Sequence, residues 1–456
     1  MRTASAEIYE RFQSGICEAV ADVERGKPRI GAELKFPFIN PDGSAVSRDK
    51  LFALWDFLCA RGWHPIQDSL TGKVAGARKP GERNDTVASY ETGYPKPEFS
   101  LAHVDDLYKL QASIRELVEE LHGFSEQHDV RFLGYGIHPV TPPSRDLLMK
   151  KARSSFWDRA FPSNDVIPPE QGDDVHLFTV NAGSHVHVSV AQGDTVRAVN
   201  VLNGFAGAQI ALTANSSVWR GEIDGRFRCV SEKLWDWWKP AAGRIAVPER
   251  PFEDILDYTR TVAGMRPVYV KRKGQPLILS SYASFAEYFS QDTASATNLE
   301  GEEVTVTPLP EDVELHNSCC WFNARISRYY TVENRVFDQQ PGDSLLCPAA
   351  LTLGLVTASE EAWEELRGYD WDVLRETREA ACESALLGAV NGVLLADLAG
   401  RMLDIAERGL RKRGLGEEQF LVPLKRRIEH NVCPGTLAEG LFETEGIQGL
   451  VAARSL

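Results

Sequence analysis

The segment SHVHVSV at 184–190 carries two imidazoles one residue apart. On an extended strand successive side chains alternate between faces, so His185, His187 and Ser189 share one face while Val186, Val188 and Val190 share the other. Such a pair can meet a ligand or stand on a solvated sheet face, and the spacing alone leaves both open. The same parity in RIGAELKF at 29–36 sets Arg29, Gly31, Glu33 and Lys35 against Ile30, Ala32, Leu34 and Phe36. In VENRVFD at 332–338 it sets Glu333, Arg335 and Phe337 against Val332, Asn334 and Val336. A carboxylate beside a guanidinium is often no more than a surface cross-strand pair.

The stretch SYETGYPKPEFSL adds Glu91 and Glu98 around two prolines and a glycine, which can turn two carboxylates toward one point or leave them as exposed acids on a turn. Together these segments offer several carboxylates and several cations on strand faces. That is the inventory needed to activate a carboxylate with ATP, where acids hold divalent cations on the phosphates and arginines neutralise developing charge.

The elements that must position these groups are legible in part. Leu51, Leu54, Trp55 and Leu58 recur at helical spacing between Ser47 and Gly62, with Ser47 placed to cap the start. Leu107, Leu110, Ile114, Leu117, Val118 and Leu121 make one stripe of a helix from Val104 to about His128. Further helices are predicted near 196–213, 359–367, 371–388, 393–413 and 416–430. Strands are predicted at 29–36, 131–139, 176–190, 267–272 and 328–338. The Pro- and acid-rich segments 161–175 and 292–312 read as long exposed loops. The chain is expected to form one large catalytic domain over 1–456, with 355–456 a mostly helical subdomain.

Composition narrows the class. The 456 residues are 43% hydrophobic and 25% charged, enough for a large core. A formal net charge of -15 argues against a protein that neutralises nucleic-acid phosphates. No apolar run is long enough to span a membrane, and the first residues lack the apolar core of a secretory signal, so no membrane partner and a cytoplasmic location are expected. Eight cysteines stand without a CxxC pair and read mostly as buried thiols rather than a zinc cage or disulfide scaffold.

In order along the chain, RIGAE, YETG with PEFS, SHVHVSV, a helix ending in LTANSSVWRG, and VENRVFDQQP resemble the glutamate-cysteine ligase family of the plant and bacterial type. They are similar also to the related bacterial carboxylate-amine ligases. FEDILDYTRTVAGMRPVYVKRKGQ and the tail from LAGRMLDIAERGL onward extend the resemblance through nearly the whole chain. It implies an α+β fold of the glutamine synthetase type: a curved, largely antiparallel sheet forming a funnel-like active site, with helices outside.

It also implies the activity: an ATP-dependent ligase that joins a carboxylate to an amine through an acyl phosphate. Glutamate plus cysteine is the first pair to consider, and a ligase for another acid and amine, or a degenerate homologue that only binds nucleotide or amino acid, is the alternative. The cofactors implied are ATP and magnesium or manganese, and the partners are small amino acids met by a monomer or homodimer. By the resemblance Glu33, Glu91, Glu98 and Glu333 hold the metal. Arg335 acts on phosphate and His185 and His187 line the nucleotide site. A phosphate-holding arginine follows the NSS helix end, where Arg220, Arg226 and Arg228 all stand; Arg228 is taken with the catalytic groups, Arg220 and Asn215 with the nucleotide. Arg325 and Arg328 either serve a substrate carboxylate or face solvent. One departure is plain: Lys35 stands where the family carries a second glutamate of the first strand, which removes or reassigns one metal ligand, and Lys35 is taken with the catalytic groups as a contact to a phosphate or an acidic substrate in its place.

Overall fold

The computed structural model describes residues 4–25, 28–69, 71–149, 160, 174–238 and 243–456. Its centre is an eight-stranded sheet in which every pairing is antiparallel. The strands are β1 (Ile30–Lys35), β2 (His64–Gln67), β3 (Val74–Lys79), β4 (Thr86–Tyr90), β5 (Pro97–Ser100), β6 (Gly183–Val188), β7 (Ala324–Ile326) and β8 (Val332–Asp338). Their spatial order is β7-β8-β6-β1-β5-β4-β3-β2, so β1 and β6 lie inside the sheet and its two edges do not meet.

Parity decides which residues face the core. Ile30, Ala32 and Leu34 of β1, Val186 and Val188 of β6, and Val332 and Val336 of β8 are all buried. Behind β6 and β8 run Thr195–Gly204, Ala206–Thr213 and Cys347–Thr357. The last of these, CPAALTLGLVT, is apolar on every side, opens with Pro348 where no helical N–H is needed, and is buried from Cys347 to Val356. Leu395–Arg413 crosses it with no room to spare: a Cβ on Gly409 would fall 2.0 Å from the carbonyl oxygen of Gly354. Leu107–His128 is capped by Asp106, whose side chain accepts from the Lys109 N–H. Its predicted stripe is buried at Leu107, Leu110, Ile114, Leu117 and Leu121.

Several expectations are corrected. Of 131–139 only Arg131–Phe132 is strand, paired with Phe38–Ile39 outside the large sheet. The strand read over 176–190 begins at Gly183, because Asp174–Thr179 is a 3-10 turn. Residues 292–312 are not a loop: Ala294–Thr297 and Glu303–Val306 pair as a hairpin within a four-stranded sheet that also contains Tyr269–Arg272. The loop predicted at 161–175 lies outside the described residues up to 173. Ser47 occupies the N-cap of Arg48–Cys59 but makes no capping bond with its side chain. The helices Ala4–Glu24, Val230–Trp237, Ile255–Gly264 and Cys347–Thr357 stand outside the predicted ones. Residues 355–456 are helical apart from a short hairpin at 389–394, and Trp371–Ser384 and Leu395–Arg413 both pack on Ala206–Thr213. Six of the eight cysteines are buried, Cys59 is half-buried, Cys17 is exposed, and all are unbridged.

Candidate active site

The open face of the sheet carries the polar residues that parity sends away from the helices. Antiparallel register puts Glu33 opposite His185, Glu333 opposite His187, Lys35 opposite Glu98, and Arg325 opposite Glu333. Five neighbouring strands, β7-β8-β6-β1-β5, thus align one continuous band of charge. An extra residue in β8 between Asn334 and Phe337 forms a bulge, and there Arg335 Nη1 comes to 3.3 Å from His185 Nδ1. These residues line one wall of a cavity of about 230 Å³. Phe178, Trp235, Trp238 and Trp321 also line it as a cluster, with the Phe178 and Trp235 rings 4.2 Å apart and those of Trp238 and Trp321 5.4 Å apart.

Each carboxylate in the band has a distinct environment. Glu333 receives a hydrogen bond from Arg325 Nε at 2.8 Å on one oxygen and a contact from Arg335 on the other. Burial pushes its pKa up, but the charges of Arg325 and Arg335 outweigh burial and hold it well below the usual carboxylate range. Arg325 is itself locked, since its Nη1 donates to the carbonyls of Asn317, Ser318 and Cys320. Arg335 makes its bonds through Nη1, which leaves other guanidinium N–H groups for a ligand in the cavity it lines.

Glu33 is desolvated too, yet Lys35 and hydrogen bonds with His185 and His187 keep it well below its ordinary value. Lys35 Nζ lies 3.2 Å from Glu33 Oε2, 3.1 Å from Glu98 Oε2 and 3.1 Å from His185 Nδ1. Burial lowers the lysine pKa, but Glu98, Glu33 and Glu91 raise it further, so the amine stays charged. Glu98 is pushed up to about 8 by burial, against the pull of Lys35 and with the added repulsion of Glu91 and Glu33. His185 falls to about 3 because burial, Arg335 and Lys35 all oppose a further positive charge. Its ring is therefore neutral at ordinary pH.

The donor set for a divalent ion is present. Glu33, His187 and Glu333 each offer a ligand atom, and these atoms lie within 4.8 Å of one another. Carboxylate oxygens with one imidazole suit a divalent cation.

The structure brings together Glu33, Lys35, Glu91, Glu98, His185, His187, Glu333 and Arg335, all of which border the cavity. It does not bring the residues after the NSS helix end. Asn215 is fully buried elsewhere, its backbone N–H on Asp338 and its side-chain amide on the carbonyls of Gly134 and Gln339. Arg228 pairs with Glu439 at 2.8 Å, Arg226 with Glu383 at 2.7 Å, and Arg220 lies over the Trp219 ring. None of these four residues lines the cavity. The motif is a folding device: its helix end is tied to β8 through Asp338, which also accepts from Ser216 Oγ. The cations near the carboxylates are Arg325 and Arg335 instead. The aromatic cluster went unread because its members come from separate elements, Phe178 from the 3-10 turn, Trp235 and Trp238 from the end of Val230–Trp237, and Trp321 from a short strand, and no local pattern joins them.

Against this geometry the comparisons are decisive. The sequence profile of glutamate-cysteine ligase family 2 (GCS2) matches residues 60–449, most of the chain. The chain belongs to that family. As a GCS2 protein it is an ATP-dependent enzyme that joins a carboxylate to an amine, and its reaction uses a divalent metal ion with the nucleotide. Relatives include glutamate-cysteine ligase A of Oryza sativa subsp. indica, 24% identical over 76% of this chain and 68% of its own length. A putative glutamate-cysteine ligase 2-3 of Mycolicibacterium smegmatis is 27% identical over 58% of this chain and 72% of its own. The fold matches that of the Francisella tularensis glutamate-cysteine ligase crystallised with AMP, with a TM-score of 0.54 at 10% identity over 94% of this chain and 87% of that one.

One expectation is overturned here. The rice relative and that of Arabidopsis thaliana, which matches 92% of this chain, are chloroplastic proteins, so the cytoplasmic expectation does not stand. No single helix among the described residues is long and apolar enough to cross a membrane.

Proposed function

We propose that this GCS2 ligase forms γ-glutamylcysteine from glutamate and cysteine, with magnesium as the divalent ion and 1–456 acting as one catalytic domain. The observation that carries the reading is the band Arg325, Glu333, His187, Glu33 and Lys35 across four adjacent strands, buried and facing one cavity. Attack of a carboxylate on the terminal phosphate of ATP brings together two anions, and a site that lowers this barrier must hold fixed positive charge near both.

Glu33, His187 and Glu333 would hold the ion, which when bound supplies charge neutralisation between the incoming carboxylate and the triphosphate. Arg335 donates N–H groups toward the phosphoryl oxygens, where charge grows as the group transfers. Arg325, anchored to three backbone carbonyls, holds Glu333 in place rather than reaching the substrate. Lys35 keeps a positive charge on the floor of the cavity, and the low basicity of His185 lets it sit between Lys35 and Arg335 without adding to their repulsion. The amine then attacks the acyl carbon of the acyl phosphate so formed, the C–N bond forms as inorganic phosphate leaves and the amine loses a proton, and no protein nucleophile is called for. Sequestration of these groups from bulk water strengthens each interaction.

The test is to incubate the protein with ATP, magnesium, glutamate and cysteine, measuring ADP release and the dehydrative product by mass spectrometry. Turnover that requires both amino acids supports the reading; turnover with neither, or with a different acid only, contradicts it.

A further inference from the structure

We infer that Lys35 is a resident cation occupying the place of a divalent ion between Glu33 and Glu98, so that the carboxylate band takes its metal at Glu33, His187 and Glu333 alone. This rests on the ligase reading only for its relevance to catalysis; the geometry stands independently.

A divalent ion bound by oxygen and imidazole ligands needs several donor atoms converging on one point. At the β1–β5 side of the band three such atoms do converge, Glu33 Oε2, Glu98 Oε2 and His185 Nδ1, but the point is filled. Lys35 Nζ lies 3.1 to 3.2 Å from each of them, and its side chain is nearly fully buried. A metal ion placed there would stand in van der Waals overlap with the ammonium and repel it in a medium that screens charge poorly.

On the β6–β8 side Glu333 is held by the guanidinium groups of Arg325 and Arg335, and Glu33, His187 and Glu333 still bring three ligand atoms within 4.8 Å of one another. His187 Nε2 lies 3.3 Å from Glu33 Oε1, and its Nδ1 is fixed by the Thr331 hydroxyl at 3.1 Å, so the ring is held in orientation with Nε2 toward the carboxylates.

The test counts Mn2+ bound to the nucleotide-free protein by equilibrium dialysis, taking as specific the ions lost in the Glu33→Ala variant, since Glu33 borders both positions. One specific ion per chain is expected. Glu98→Gln should leave that count at one, because Glu98 is neutralised by the lysine and does not ligate. Lys35→Glu should raise the total by one ion per chain, and its melting temperature should climb with added Mn2+ more steeply than that of the unaltered chain. Two specific ions in the unaltered chain, loss of Mn2+ in Glu98→Gln, or an unchanged count in folded Lys35→Glu would each overturn the inference. If Lys35→Glu does not fold, the first two results decide. Amide formation is measured separately on the unaltered chain. A count of one with no ligation would sink the ligase reading and leave the inference standing, and ligation with a count of two would do the reverse.

Discussion

Glu333 and Arg325 face each other across β8 and β7, joined by a 2.8 Å hydrogen bond, while Arg335 on the same strand as Glu333 contacts its other oxygen. A buried carboxylate clamped between two guanidinium groups is fixed in both charge and direction, which suits it to orient an ion. The two arginines differ in freedom, and that difference yields a prediction. Arg335→Ala should lower kcat by about two to three orders of magnitude with little change in melting temperature, the loss typical of removing one donor to developing charge. Arg325→Ala should also lower the melting temperature, because three carbonyls and Glu333 lose their partner. Equal thermal effects of the two substitutions would contradict the assignment.

Asn334, between Glu333 and Arg335, points the other way. Its amide nitrogen donates to Gln209 Oε1 at 2.6 Å and Thr352 Oγ1 at 3.0 Å in the helical layer. Asn334→Ala should destabilise the protein by ~1–3 kcal/mol through unsatisfied buried acceptors, measured by denaturant titration, while kcat of the folded fraction stays within a few-fold.

Parity made much of this site legible in advance. The faces of Glu33 and Lys35, His185 and His187, and Glu333 and Arg335 follow from alternation alone, since a strand buried on one side cannot slip by one residue without exposing its valines. Parity could not say which strands would be neighbours. The pairing of Glu333 with His187 joins segments about 150 residues apart in the chain, and no local signal encodes it. The arginines after the NSS helix end were misplaced for a related reason. Their spacing shows basic residues in a turn, but Glu439 and Glu383, which claim Arg228 and Arg226, come from distant helices. The hairpin over 294–306 was hidden because its strands are short and rich in small polar residues, so packing rather than composition makes them strands.

Asp338 gives a pH signature. Burial lifts its carboxyl from the ordinary 3.8 to about 7, despite hydrogen bonds from the Asn215 N–H, the Ser216 hydroxyl and the Cys229 thiol. Between those values the folded chain holds a proton that the unfolded chain has released, so this group's contribution to stability is full below pH 4 and falls as pH rises toward 7. Buried histidines such as His138, lowered to about 4, oppose it in the same window. The difference between the chain and its Asp338→Asn variant isolates the effect. The stability of the variant relative to the parent should increase steadily from pH 4 to pH 7 and then level off in urea titrations; a difference independent of pH would contradict the shift.

The helix crossing behind the sheet is predicted to be intolerant of a single methyl group. A Cβ on Gly409 would meet the Gly354 carbonyl at 2.0 Å and one on Gly354 would meet the Ala406 carbonyl at 2.4 Å. Gly409→Ala should cost ~1–3 kcal/mol or more despite the better helix propensity of alanine, since backbone cannot yield as a side chain would. Calorimetric melting should show the fall, and an unchanged or raised melting temperature would mean that the helices are farther apart.

The central claim is that the cavity transfers a phosphoryl group to a carboxylate before the amide forms. The most direct measurement supplies the carboxylate substrate labelled with oxygen-18, with ATP, magnesium and the amine, and follows the label by mass spectrometry. One labelled oxygen is expected in inorganic phosphate, with ADP as the nucleotide product, and the whole reaction should be lost on chelation of the divalent ion and recovered when it is restored. Label appearing in AMP would contradict the claim.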